Sequence, residues 1–160
     1  MKKINLVSII AVILMVFSDQ LSKYFINANM FVGDSIKIID GFFSIHYVQN
    51  TGAGFSILEG QMTFFYAITI FALCFLFYLL FSEDNNNKLY NAAVLMMIGG
   101  TIGNFIDRIF RHFVVDFLDF VIFGYDFPVF NLADCFLTIG VVLFILCMFY
   151  SERMNKNGNY

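Results

Sequence analysis

Four long apolar runs govern what this chain can become: Ile4 to Phe17 extended through Asp19 to Tyr24, then Met62 to Phe81, Leu89 to Phe110 and Leu132 to Tyr150. Each reaches the roughly 20 residues that an α-helix needs to cross the hydrocarbon core of a bilayer. Backbone N–H and C=O groups find no water there, so a crossing segment satisfies them internally as a helix. Hydrophobic residues make up 60% of the chain and charged residues 13%, against about 25% charged in an average globular domain. The expectation is a membrane α-helical fold, with transmembrane helices over 4–25, 62–81, 89–110 and 132–150 in a single integral membrane domain covering 1–160. A formal net charge of -3, with no basic stripe, sets nucleic acid aside as a partner. No small-residue cleavage site follows the Lys2, Lys3 and Ile4 to Phe17 stretch, so that segment is expected to stay on the chain. Cys74, Cys135 and Cys147 lack the spacing of a metal site or a disulfide framework and read as small apolar fillers.

Between the first two runs, Asn27 to Gln61 is too polar to cross. Asp40 and Gly41 signal a hairpin turn between Ser35 to Ile39 and Phe42 to Val48, and Gly52 to Gly54 signals a second turn before Phe55 to Leu58. A small extracytoplasmic β-sheet, a cradle over about 34–58, is expected on the membrane surface. It could hold an extended peptide by main-chain hydrogen bonds. His46 reads as a sheet-surface residue. Phe113 to Phe123 is too short to cross and reads as an interfacial helical segment or a re-entrant piece, broken by Gly124 to Pro128. Ser151 to Tyr160 reads as a polar tail.

Carboxylates stand in apolar company at Asp116, Asp119, Asp126 and Asp134, with no Lys or Arg among them. Desolvation disfavours a charge in such surroundings, so these acids need partners or a task. Asn131 reads as an N-cap with Asp134 at the third position of the helix it opens, which is a structural reason for that acid. Asp19 and Lys23, four apart, share a helix face. They could pair with Lys23 snorkelling outward, or form a rigid polar wall for a site. Asn104, Asp107, Arg108 and Arg111 crowd the end of the third run, while Gly99 and Gly103 form a small-residue packing pattern.

Depth brings these groups together. Asp19 and Lys23 end the first run, Asn104 to Arg111 end the third, and Asn131 to Asp134 begin the fourth, so all lie at one level of the membrane. Lys2, Lys3, Lys88, Arg153 and Lys156 share the other side, which makes it cytoplasmic by the positive-inside rule. Two carboxylates brought close share a proton, so one can act as general base on water while the other polarises a carbonyl. An ion- or proton-coupled transporter would also use intramembrane acids, but the inner halves of the runs are apolar and offer no path. A purely structural subunit would explain the glycines and not the acids.

The chain resembles bacterial lipoprotein signal peptidase (signal peptidase II) through five ordered blocks: DQLSK at 19–23, NTGAGFS at 50–56, GTIGNFIDR at 100–108, VVDF at 114–117 and FPVFNLAD at 127–134. The resemblance implies a membrane aspartic endopeptidase that removes the signal peptide from diacylglyceryl-modified prolipoproteins, cutting just before the lipidated lipobox cysteine. It implies Asp116 and Asp134 as the catalytic dyad, a choice among the acids that composition leaves open. Asn50, Gly52, Asn104, Arg108 and Asn131 match positions lining the site and contacting substrate, with Asp19, Lys23 and Asp107 as supporting polar residues. The family implies neither metal nor cofactor. It also implies a multi-pass plasma-membrane protein, acting as a monomer beside membrane lipid, with both termini cytoplasmic and the site near the extracytoplasmic face. Cys135 departs from the small hydroxyl or Ala expected after Asp134, and Asp119 and Asp126 are expected to be solvated interfacial acids.

Overall fold

The computed structural model describes residues 5–52, 60–82 and 87–156. Four helices are long and apolar enough to cross a membrane: α1 (Leu6–Asn29), α2 (Met62–Ser82), α3 (Lys88–Arg111) and α4 (Leu132–Lys156). α1 continues past the expected boundary to Asn29, and α4 runs through the expected tail to Lys156. Asn5 opens α1 by accepting from Ser8 N at 2.8 Å, and Asn87 opens α3 by accepting from Leu89 N and Tyr90 N. These caps satisfy backbone donors that have no partner in the first turn of a helix.

α3 is the central helix. Half of its apolar window is buried, against 11 to 22% in the other three, whose outward faces carry exposed Leu, Ile, Val and Phe as a lipid-facing surface requires. Glycines let its neighbours come close. A Cβ on Gly100 would lie 2.3 Å from Ala133 O of α4, and one on Gly103 would lie 2.7 Å from Asp19 Oδ2 of α1. Gly99 meets the side chain of Met15, so Gly99 and Gly103 both face α1. Val94, Met97 and Ile98 of α3 pack with Leu76 and Leu80 of α2 and Cys147 of α4.

Among the described residues the sheet has four antiparallel strands in the order β1 (Ser35–Ile39), β2 (Phe43–Asn50), β3 (Val114–Ile122) and β4 (Tyr125–Asp126). Gly41, at φ 70°, turns β1 into β2 as the Asp40-Gly41 signal implies. The expected Phe55 to Leu58 run and the Ala53-Gly54 part of the second turn lie outside the described residues. One expectation is corrected: the interfacial helical segment at 113–123 is strand β3. Val114, Val115 and Phe117 are β-branched or aromatic, and β2 offers an open edge on which Val48 pairs with Asp116 and Asn50 with Val114. Tyr47, Val115 and Phe117 then pack against Ile26 of α1, Met30 just after it and Leu132 of α4, which seats the sheet over the ends of both helices.

Candidate active site

The start of α4 supplies the first acid. Asp134 N donates to Asn131 Oδ1 at 3.1 Å, and Asn131 N donates to Asp134 Oδ2 at 3.2 Å, a reciprocal capping box. Asn131 is therefore the N-cap that the sequence implies, and the cap sets Asp134 in place beside the last turns of α3. Asn104 of α3 reaches the same carboxylate, donating to Asp134 Oδ1 at 2.7 Å.

The second acid comes from β3. Asp116 is 3% exposed, and its two oxygens accept from Asn131 Nδ2 at 2.6 Å and from Asn50 Nδ2 at 2.9 Å. Burial, followed by the charge of Asp134, pushes the Asp116 carboxyl up to about 7 against the pull of those two amide donors. Asn131 also donates to Asn104 Oδ1 at 3.1 Å, so the two acids are joined through Asn131 and Asn104. A carboxyl that titrates near neutrality beside a second carboxylate can carry one proton for the pair.

Behind the acids stands a buried charge cluster. Lys23 Nζ lies 2.9 Å from Asp19 Oδ2, 2.9 Å from Asp107 Oδ2 and 2.9 Å from Asn104 Oδ1. Lys23 does not snorkel: it is 0% exposed, because Asp107 supplies a second counter-charge inside the bundle. Arg111 pairs with Asp107 Oδ1, which balances two cations against two anions. Taking charges out of water is costly, and only such close pairing with satisfied hydrogen bonds makes it tolerable.

In front of the acids, Arg108 Nη2 donates to Gly52 O at 3.3 Å, its guanidinium lies 5.0 Å from the Phe65 ring centre, and its Nε is buried without a hydrogen-bond partner among the described residues. Gly52 N donates to Asn50 Oδ1 at 2.9 Å, tying the loop after β2 to a residue that holds Asp116. Next to Arg108 and Asn104 opens a cleft of about 330 Å³ between α2, α3 and α4, lined by Thr69 and Thr101 and by apolar side chains such as Ile68, Phe75 and Leu137.

Asp19, Lys23, Asn50, Gly52, Asn104, Asp107, Arg108, Asp116, Asn131 and Asp134 thus meet in one place. Asp126 stands apart, exposed on β4. Asp119 corrects the expectation of a solvated acid: its side chain is 15% exposed and accepts from Ser44 Oγ at 2.6 Å, with His46 beside it at 3.9 Å. Two residues of the site had no sequence argument. Gln20 bridges Asp19, Gly103 O and Asp107 at 3.1 Å each, and its position next to Asp19 was the signal for it. Tyr66 donates to Arg108 O at 2.8 Å from a helix with no charged residue to point to it.

The profile of the signal peptidase (SPase) II family matches residues 10–150. A lipoprotein signal peptidase of Bacillus pumilus (strain SAFR-032) is 45% identical over 144 residues, covering 90% of this chain and 93% of the relative. One of Staphylococcus aureus is 45% identical over 150 residues, covering 94% and 92%. Among solved structures, a bacterial membrane enzyme determined by the in meso method at 2.3 Å superposes with a TM-score of 0.87 at 42% identity, covering 96% of this chain and 92% of that one. A second, at 1.9 Å, gives a TM-score of 0.82 at 44% identity, covering 89% and 92%.

Proposed function

The chain belongs to the signal peptidase II family, and from that premise we propose that Asp116 and Asp134 are an aspartic dyad. It removes the signal peptide from diacylglyceryl-modified prolipoproteins, cutting just before the lipidated lipobox cysteine. The observation that carries this reading is the convergence of two carboxylates from separate elements on Asn131, whose side-chain amide bonds Asp116 and whose backbone N–H bonds Asp134.

With one proton between them, one carboxylate takes a proton from water as the water oxygen attacks the scissile carbonyl, and the other carboxyl donates its proton to the carbonyl oxygen. The tetrahedral diol then collapses. The C–N bond breaks as the leaving amine takes the proton from one carboxyl and a diol hydroxyl returns its proton to the other carboxylate, so the products are a carboxylic acid and the amine of the cysteine and the dyad again holds one proton. Asn50 and Asn131 hold Asp116 through this cycle, and Asn104 and Asn131 hold Asp134. Arg108 offers its Nε–H, which has no partner among the described residues, to a substrate carbonyl. The acyl chains of the substrate enter the cleft beside Arg108, where Ile68, Phe75, Leu76, Met97 and Leu137 offer a mainly hydrocarbon wall. The peptide lies along the sheet.

Four candidate spans and this family fit a bacterial plasma membrane. The reading places both termini in the cytoplasm and the site near the extracytoplasmic face, in a single-domain monomer surrounded by membrane lipid. The test is cleavage by the purified protein of a lipobox peptide with and without diacylglycerol on its cysteine, in metal chelator, beside Asp116→Asn. The expected result is cutting of the lipidated peptide by the wild type alone. Cutting by Asp116→Asn at the wild-type rate would overturn the dyad.

A further inference from the structure

Two backbone contacts at the site have the same form. Asp19 Oδ1 accepts from Ala133 N at 2.9 Å, and Asp107 Oδ2 accepts from Val115 N at 3.2 Å. Ala133 is the residue just before Asp134, and Val115 is the residue just before Asp116. One buried carboxylate therefore grips the chain one residue ahead of each acid of the dyad. The two grips are joined by Lys23, which bonds both carboxylates at 2.9 Å and reaches Asn104 Oδ1 at the same distance. Gln20 braces the pair from the side, touching Asp19, Asp107 and Arg111.

We infer that Asp19, Lys23 and Asp107 form a positioning clamp that fixes the start of α4 relative to the start of β3, and so fixes the spacing of the two acids. The inference rests on the dyad reading above. None of the three needs to touch substrate. The geometry favours this over a plain structural ion pair because the backbone bridge between Phe130 and Leu118 ties the chain ahead of α4 to β3 on the far side of Asp116, whereas Val115 and Ala133, the residues just ahead of the two acids, are held by the carboxylates of Asp107 and Asp19. Rigid packing alone would permit apolar groups here, and apolar groups often match buried ion pairs in stability. A clamp needs directed acceptors for two N–H groups, and a lysine is long enough to hold both carboxylates at once.

The experiment measures kcat, KM and the pH profile of cleavage of a lipidated lipobox peptide by wild type, Asp116→Asn, Lys23→Met and Asp107→Asn. Asp116→Asn serves as the control for the dyad itself. Were it active, the dyad reading would fail, independently of the clamp. With that control inactive, Lys23→Met is expected to lower kcat on the order of 10²-fold, as small displacements of catalytic groups do. KM should stay within about twofold of wild type, because binding contacts are untouched. The alkaline limb of the pH profile should also move upward, since of the charges acting on Asp116, those of Asp134, Lys23 and Arg108, one cation has gone. Asp107→Asn keeps an acceptor for Val115 N and loses the pairs to Lys23 and Arg111. It is expected to lose on the order of tenfold in kcat with KM again preserved. Wild-type kcat and pH limb in Lys23→Met would overturn the clamp. Should Lys23→Met fail to fold, Asp107→Asn decides alone, and wild-type kcat in that variant would overturn it.

Discussion

Asn131 Nδ2 lies 2.6 Å from Asp116 Oδ1 while the backbone N–H of the same asparagine bonds Asp134 Oδ2, so a single residue touches both acids. One part of it is a helix cap and the other is an amide donor. The two can be separated by substitution.

Asn131→Ser keeps a capping oxygen for the first turn of α4 and loses the amide that reaches Asp116 and Asn104. Asn131→Ala loses both. The alanine variant is expected to be the less stable by about 1 kcal/mol, the usual worth of a cap, read as a lower melting temperature in detergent. Both are expected to lose at least about tenfold in kcat, because an unanchored Asp116 no longer sits in one place. Recovery of full activity in Asn131→Ser would show that the cap alone matters.

The proton on Asp116 has a consequence for stability with a definite sign. The unfolded chain releases it near 3.8, whereas the folded chain holds it to about 7. Between those values the folded state binds more protons, so stability falls as pH rises. The contribution is complete below pH 4 and is lost above pH 7, and it amounts to about 4 kcal/mol at most. Compared with Asp116→Asn, the wild type should lose melting temperature steadily from pH 4 to pH 8. Parallel melting curves for the two proteins across that range would contradict the raised value. Cleavage by the wild type should fall off above about pH 7 as the shared proton leaves.

Much of this fold is legible in the sequence, for a physical reason. A bilayer admits few alternatives, so long apolar runs read directly as crossing helices. The cap at Asn131 and the shared face of Asp19 and Lys23 are local, and local spacing reveals them. β3 was misread because Val114, Val115, Asp116 and Phe117 are all buried, which erases the alternation that normally identifies a strand. The second partner of Lys23 was out of reach as well. Asp107 lies on another helix, and no spacing rule connects residues whose contact is set by how closely α1 approaches Gly103. The same holds for Asp119, which looks solvated until β2 brings Ser44 over it.

That close approach gives a graded prediction along α3. Gly100→Ala places a methyl 2.3 Å from Ala133 O, a backbone atom that can move only if α4 moves. The variant is expected to lose several kcal/mol, in the range of about 1–3 kcal/mol or more for overpacking, and to displace Asp134 with the helix. Gly99→Ala meets the side chain of Met15, at 3.2 Å from Cε and 3.3 Å from Cβ, with no backbone atom as near as in Gly100→Ala, and is expected to cost less stability than that variant and to keep cleavage. Yield and melting temperature of the two variants, prepared side by side, provide the check.

Asp119 and Asp116 lie three apart on one strand, and so on opposite faces. Asp116 is turned into the site and Asp119 toward Ser44 and His46. Asp119→Ala removes a short hydrogen bond from Ser44 and is expected to cost about 1 kcal/mol of stability. It should leave kcat within about twofold of wild type, because nothing that holds Asp116 is disturbed. Asp116→Ala is expected to do the reverse, abolishing cleavage with a folded protein remaining. Equal loss of cleavage in the two variants would mean that the strand acts as a unit, and that the face on which an acid sits does not decide its role.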